Sequence, residues 1–132
     1  MAKVKLLVDT DILIDYIKRV KPARELFNSD RFDIYCSVLS KKELLSKAGL
    51  RESERKAIVD LISNIKVLKI DDDANKKYSL LINKYGERHA SPPDYVIAAT
   101  AWAKKLPLLT RNRKHFNRIE EIELAPVYEY QE

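Results

Sequence analysis

Apolar positions along the chain fall into short blocks of two different periods. KVKLLV (3–8) is an apolar run of strand length, and DILIDYIKR directly after Asp9-Thr10 sets Ile12, Leu13, Tyr16 and Ile17 at the three-to-four spacing of a helix face. A strand that feeds straight into a helix opens an α/β unit. The alternation recurs: a short helix over Pro22–Ser29, a strand at FDIYCS (32–37), and a helix at VLSKKELLSKA (38–48). RESERKAIVDLIS (51–63) is amphipathic, with Ala57, Ile58, Leu61 and Ile62 on one side, and KVLKI (66–70) returns as a strand. A helix from Asp72 to Tyr85 stops at Gly86. SPPDYVIAATAWAKK (91–105) is the most apolar helix, its alanines suited to close packing, and PLLT (107–110) and IEEIEL (119–124) complete the series as a strand and an edge strand. Such alternation predicts an α/β fold with a mainly parallel sheet covered on both faces. The functional crevice of such a sheet lies beyond the carboxyl ends of its strands.

Length and composition narrow this picture. With 132 residues, 45% apolar and 34% charged, the chain has the size of one domain, taken as 1–132, and no internal repeat or linker divides it. No apolar run approaches the roughly 18 residues of a membrane span, which excludes a membrane helix. The opening MAKVKLLVDTDILID is interrupted by Asp9 and Asp11 and lacks a small-residue cleavage site, so the expectation is a protein that is not exported. The lone Cys36 reads as a small buried thiol, and the two together suit a reducing cytoplasm. Gly49 and Gly86 are the only glycines, too few for a dinucleotide or phosphate-loop fingerprint. Net charge is +5 and uneven: no acid occurs between Asp94 and Glu120, while Lys104, Lys105, Arg111, Arg113, Lys114 and Arg118 do. That stretch is suited to a polyanion.

Three carboxylates stand where strands give way to helices. Asp9 ends the first strand, and as a helix cap it competes with Thr10 and Asp11; Ser40-Lys-Lys-Glu43 has capping-box spacing, and so does Ser91-Pro-Pro-Asp94, with Pro92 in the first helical turn. Singly, each is explained by capping. Jointly, Asp9, Glu43 and Asp94 lie near one rim of the sheet, where three anions repel unless a cation sits between them. A hard divalent ion with oxygen ligands, Mg²⁺ or Mn²⁺, meets that need better than zinc, since the chain offers only His89, His115 and Cys36 as softer donors. The acidic run Asp71-Asp72-Asp73 reads as a helix start, and Trp102 and the tyrosines read as core aromatics rather than base-stacking platforms.

VDTDILIDYI, SVLSKKELL, PDYVIAATA and LLTRNRKHF resemble, in order, the four signature segments of PIN domains, particularly the VapC-type toxins of toxin–antitoxin pairs. The resemblance covers nearly the whole chain. It implies a PIN-like three-layer α/β/α sandwich and a Mg²⁺- or Mn²⁺-dependent endoribonuclease that leaves 5′-phosphate and 3′-hydroxyl ends. It also implies an antitoxin protein as partner and a homodimer. It puts Asp9, Glu43 and Asp94 in the metal-site and catalytic positions, with Asn112 as a possible further ligand, and Thr10, Ser37 and Thr110 in polar supporting positions. Two departures stand out: Asp11 replaces the usual Asn and joins the supporting set as an extra acid, while Asn112 and His115 replace acids of the fourth segment. Arg111, Arg113 and Lys114, beside Asn112, are the expected RNA-binding residues. Two rivals remain. Asp9-Thr10-Asp11 after an apolar strand also fits the nucleophile motif of haloacid-dehalogenase-like phosphotransferases, though that reading leaves PDYVIAATA and LLTRNRKHF without a role. The other is a PIN scaffold that binds RNA without cutting it.

Overall fold

The computed structural model describes residues 2–88 and 90–126; Met1, His89 and residues 127–132 lie outside it. The chain runs β1 (Val4–Val8), α1 (Thr10–Ile17), α2 (Lys21–Asn28), β2 (Phe32–Ser37), α3 (Val38–Leu45), α4 (Glu52–Ser63), β3 (Lys66–Leu68), α5 (Asp72–Tyr85), α6 (Pro92–Lys104), β4 (Leu108–Leu109) and α7 (Arg113–Phe116). The four strands form one parallel sheet in the order β3-β2-β1-β4, with Val8 opposite Cys36 on one side and Leu109 on the other. Helices cover both faces, the predicted three-layer α/β/α arrangement.

The period-two alternation of the strands sorts the core in two. Leu6 and Val8, with Ile34, Cys36 and Leu109, join Ile12, Leu13, Leu44, Ile58 and Leu61 from α1, α3 and α4. Leu7 and Leu108 point the other way, into Leu81, Tyr95, Ala98, Ala101 and Phe116 from α5, α6 and α7. The alanines of α6 let it approach α5 closely, and these two make the largest helix–helix contact of the molecule. Cys36 is the buried free thiol expected, pushed up to about 12 by burial. Trp102 packs at the edge of the second core, as read from its spacing. No helix among the described residues is long and apolar enough to cross a membrane.

Two expectations are corrected. Residues 119–123 of IEEIEL do not form a strand: Ile119 and Ile122 close successive turns, and only Leu124 bridges to Leu108. Glu121 accepts from Tyr85 and Lys84 of α5, and the Glu120 amide donates to the Tyr85 hydroxyl, so side chains of α5 take the place of a strand ladder here. Secondly, Ser40-Lys-Lys-Glu43 is no capping box. Helix α3 starts three residues earlier, capped by the Ser37 hydroxyl, which accepts from the Leu39 amide at 3.1 Å. Ser40 and Glu43 are thereby freed from capping.

Candidate metal centre

Each strand of the sheet's middle delivers a polar group to the carboxyl rim. Asp9 leaves β1, is 6% exposed, and caps α1: its Oδ1 accepts from the Thr10 amide at 2.8 Å. Its Oδ2 accepts from the Thr110 hydroxyl at 2.8 Å, from the end of β4 next door. The wholly buried Thr110 in turn accepts from the Asn112 amide at 2.9 Å, so one hydroxyl ties the fourth segment to Asp9. Burial lifts the Asp9 carboxyl above the usual range; Thr110 and Thr10 pull it back, and Asp94 pushes it up again.

Glu43 comes from α3 and lies within 3.3 Å of the Thr10 hydroxyl, which is also 2.8 Å from Ser40 Oγ. One hydroxyl proton therefore has two acceptors in reach. Glu43 is likewise raised, chiefly by partial burial, lowered by Thr10, and raised further by Asp9 and Asp94. Asp94 sits in the first turn of α6, where its Oδ2 accepts from the amide and the hydroxyl of Ser91, both at 3.0 Å. The capping reading of Asp9 and of Asp94 is correct, and it does not compete with a second role: the cap fixes the carboxylate at the rim.

Thr10 links two of the acids, its amide donating to Asp9 at the start of α1 and its hydroxyl reaching Glu43 of α3, while Asp94 of α6 pushes both of those carboxyls up. Among the described residues no group of three or more His, Cys, Asp or Glu side chains stands close enough together to hold a metal ion as it is. Asp11 adds a fourth acid. Its Oδ2 accepts from the Arg111 amide at 3.0 Å while its Oδ1 is buried without a hydrogen bond among the described residues, and burial, then Asp9, push it up to about 6. Its effect is to pin the fourth segment to α1 through the Arg111 backbone.

The basic residues divide. Arg111 Nε reaches Asp15 Oδ2 at 2.9 Å, where the Asp15 side chain is only 3% exposed; Arg113 donates to the Ala125 carbonyl at 2.8 Å. Lys114 is exposed, as is Asn112, whose backbone rather than side chain makes the contact to Thr110. Ser37 caps α3 and makes no described side-chain bond to the acids.

Three participants have contacts that the sequence reading did not assign, although it had noted His115 as the replacement for an acid. Ser40 was taken for a cap. Asp15 follows Asp11 by one helical turn inside the apolar stripe Ile12-Leu13-Tyr16, and an acid in such a stripe signals a buried partner. His115 Nδ1 stands 3.1 Å from Asp94 Oδ2. The fourth segment thus reaches Asp94 through His115, a contact that spacing alone does not reveal.

Comparison with known proteins settles the family. The PIN domain model matches residues 6–122, nearly the entire sheet and all seven helices. The chain belongs to the PIN-domain family. It is 32% identical over 121 residues to Ribonuclease VapC10 of Mycobacterium tuberculosis, covering 89% of this chain and 90% of that protein. It is 30% identical over 123 residues to Ribonuclease VapC1 of Methanocaldococcus jannaschii, covering 91% and 85%. Among solved structures, VapBC from Salmonella typhimurium bound to DNA is similar at a TM-score of 0.79 and 27% identity, covering 92% of this chain and 97% of that one. The phosphotransferase rival loses its footing, because the PIN match takes in Asp9-Thr10-Asp11 together with the two segments that the rival left idle.

Proposed function

We infer that this PIN domain is an endoribonuclease that hydrolyses RNA phosphodiester bonds, the toxin of a VapBC-type pair. The carrying observation is that Asp9 and Asp94 are fixed at the rim by bonds from Thr10, Thr110 and Ser91, with Thr10 reaching Glu43 as well, in a chain 32% identical to a VapC ribonuclease. Asp9 and Glu43, raised by burial and by neighbouring acids, together with Asp94 offer only oxygen donors, which suits Mg²⁺ or Mn²⁺. Asp9, Glu43 and Asp94 would hold the ion, with Asn112 near enough in sequence to Thr110 to join through water. Bound there, the ion supplies Lewis acidity and a more acidic water.

The chain's own residues do the rest. Thr110 and the Thr10 amide orient the two oxygens of Asp9, Ser91 orients Asp94, and Thr10 holds Glu43 within hydrogen-bond reach. Lys114 meets the RNA phosphates. Arg111 and Arg113, engaged with Asp15 and Ala125, keep the segment that carries Lys114 in place and lend positive charge to the approach. The rim opens on a groove of about 440 Å³ between α1, α3 and α4, lined by Ile14, Ile17, Leu44, Leu50 and Ile58 with Glu43 at its edge. An amphipathic antitoxin helix fits such a groove, and a basic side chain at its end would lie against Glu43. The setting is the cytoplasm, and the free toxin is a homodimer.

The test is RNA cleavage by purified chain, with ends mapped. Metal-dependent cuts bearing 5′-phosphates, relieved by a co-expressed neighbouring small protein, are the expected result. RNA retention without cutting in Mn²⁺ would instead indicate a binding scaffold.

A further inference from the structure

We propose that His115 is a nitrogen donor of this same centre, and that it makes the centre select a first-row transition ion such as Mn²⁺ against Mg²⁺. The inference rests on the reading of Asp9, Glu43 and Asp94 as an ion site.

His115 Nδ1 is buried and has no hydrogen-bond partner among the described residues. It lies 3.1 Å from Asp94 Oδ2, close enough for a bond but out of line for one, while that oxygen already accepts from Ser91 twice. The ring itself is 44% exposed, so it is the inward edge that is starved of a partner. Its placement is imposed from both sides: Phe116 is wholly buried beside it, the His115 amide donates to Asn112, and Arg113 anchors α7 to Ala125.

An unpaired nitrogen and a carboxylate oxygen 3.1 Å apart have the spacing of two neighbouring ligands of one ion, since donors about 2.1 Å from an octahedral centre stand about 3 Å from each other. Carboxylate and water oxygens accept Mg²⁺ readily, whereas imidazole favours transition ions, whose affinity for a nitrogen site rises from Mn²⁺ along the first row. The opposing account is that a charged imidazolium merely pairs with Asp94. It makes the opposite forecast, because removing a cation from beside the acids strengthens binding of every divalent ion.

Calorimetry of RNA-free full-length protein with Mn²⁺ and with Mg²⁺, and pulsed electron paramagnetic resonance of the Mn²⁺ form, separate the two. The wild type should show a directly coordinated nitrogen whose signal changes on ¹⁵N-histidine labelling. His115→Ala should lose that signal and bind Mn²⁺ at least about 100-fold more weakly, as for loss of a direct ligand rather than of an outer partner, with Mg²⁺ little altered. His115→Asp should strengthen Mg²⁺ and erase the preference. A wild-type Mn²⁺ form without nitrogen coupling, or a His115→Ala protein that binds both ions more tightly, overturns the role of His115. The wild-type spectrum decides even where a variant does not fold. Asp9→Asn serves as the control for the site itself: both ions should be lost. If the wild type binds neither ion, the ion-site reading fails and this inference falls with it; binding that depends on Asp9 but shows no nitrogen overturns His115 alone.

Discussion

Acidic residues in this molecule live in two kinds of neighbourhood. Along α4, α5 and the turn after α7 they face cations: Glu54 meets Arg51, and Asp71 accepts from Lys104 at 2.7 Å. Glu121 accepts from Lys84 and Tyr85. All three carboxyls are held below their usual range, Glu54 by Arg51, Asp71 by Lys104, and Glu121 because the bonds from Tyr85 and Lys84 outweigh its burial. At the carboxyl rim of the sheet, Asp9, Asp11 and Glu43 face hydroxyls, amides and each other, and all three are raised. The first arrangement stabilises the fold modestly and asks for nothing more. The second leaves negative charge only partly compensated among rigid hydrogen bonds, which a proton or a bound cation relieves. Strain of this kind, concentrated at one rim, marks the site better than the number of acids does.

The largest effect expected of any substitution is at Asp94. Asp94→Asn should lower metal-dependent cleavage by at least about 100-fold, as befits loss of a ligand rather than of an outer partner, while the apo protein melts no lower than wild type because one repelling charge is gone. Calorimetric melting with and without Mn²⁺ checks the second half. A melting temperature that falls in the apo variant would place Asp94 with the paired, stabilising acids.

Next in size is Thr110→Val. It strips the hydroxyl that donates to Asp9 and accepts from Asn112, leaving two groups short of a partner at a buried place, at about 1–3 kcal/mol. Cleavage should fall with stability, whereas Thr110→Ser should retain most of both. Equal activity of the Val and Ser variants would show that the hydroxyl does not hold Asp9 for function.

The pH dependence of apo stability sharpens the contrast. Asp11 titrates at about 6 in the folded chain against 3.8 unfolded, so the folded state binds more protons between those values. Its contribution to stability is fully present below about pH 3.8 and is lost as pH rises through 6, the reverse of ordinary acid denaturation. The metal-free wild type should therefore lose melting temperature between pH 4 and 7 relative to Asp11→Asn. Parallel curves for the two proteins would contradict the raised carboxyl. For comparison, Lys104→Ala breaks only an exposed pair with Asp71, and its melting curve should overlay the wild type within experimental scatter.

How much of this was legible in the sequence follows from where physics is local. Strand periods in KVKLLV and FDIYCS and helix periods in α1, α4 and α5 set the elements, because burial of a stripe is written in residue spacing. Asp9 and Asp94 were legible as rim acids since caps are local too. Ser40-Lys-Lys-Glu43 misled because its spacing matches a capping box, while the true start is fixed by Ser37 at the end of β2. IEEIEL misled because its alternation suits a strand, yet Tyr85 and Lys84, some 36 residues earlier, turn Glu121 toward them. The Arg111–Asp15 pair and the His115–Asp94 contact depend on the register of β4 against β1, a long-range fact without a local signature.

The most direct measurement is cleavage of a defined RNA by antitoxin-free wild type and by Asp94→Asn, purified identically, with Mn²⁺ or Mg²⁺ and with chelator. The account predicts cutting that requires the ion, stops with chelator and is absent from the variant. Cutting by Asp94→Asn at the wild-type rate, or cutting by the wild type that persists in chelator, would contradict it.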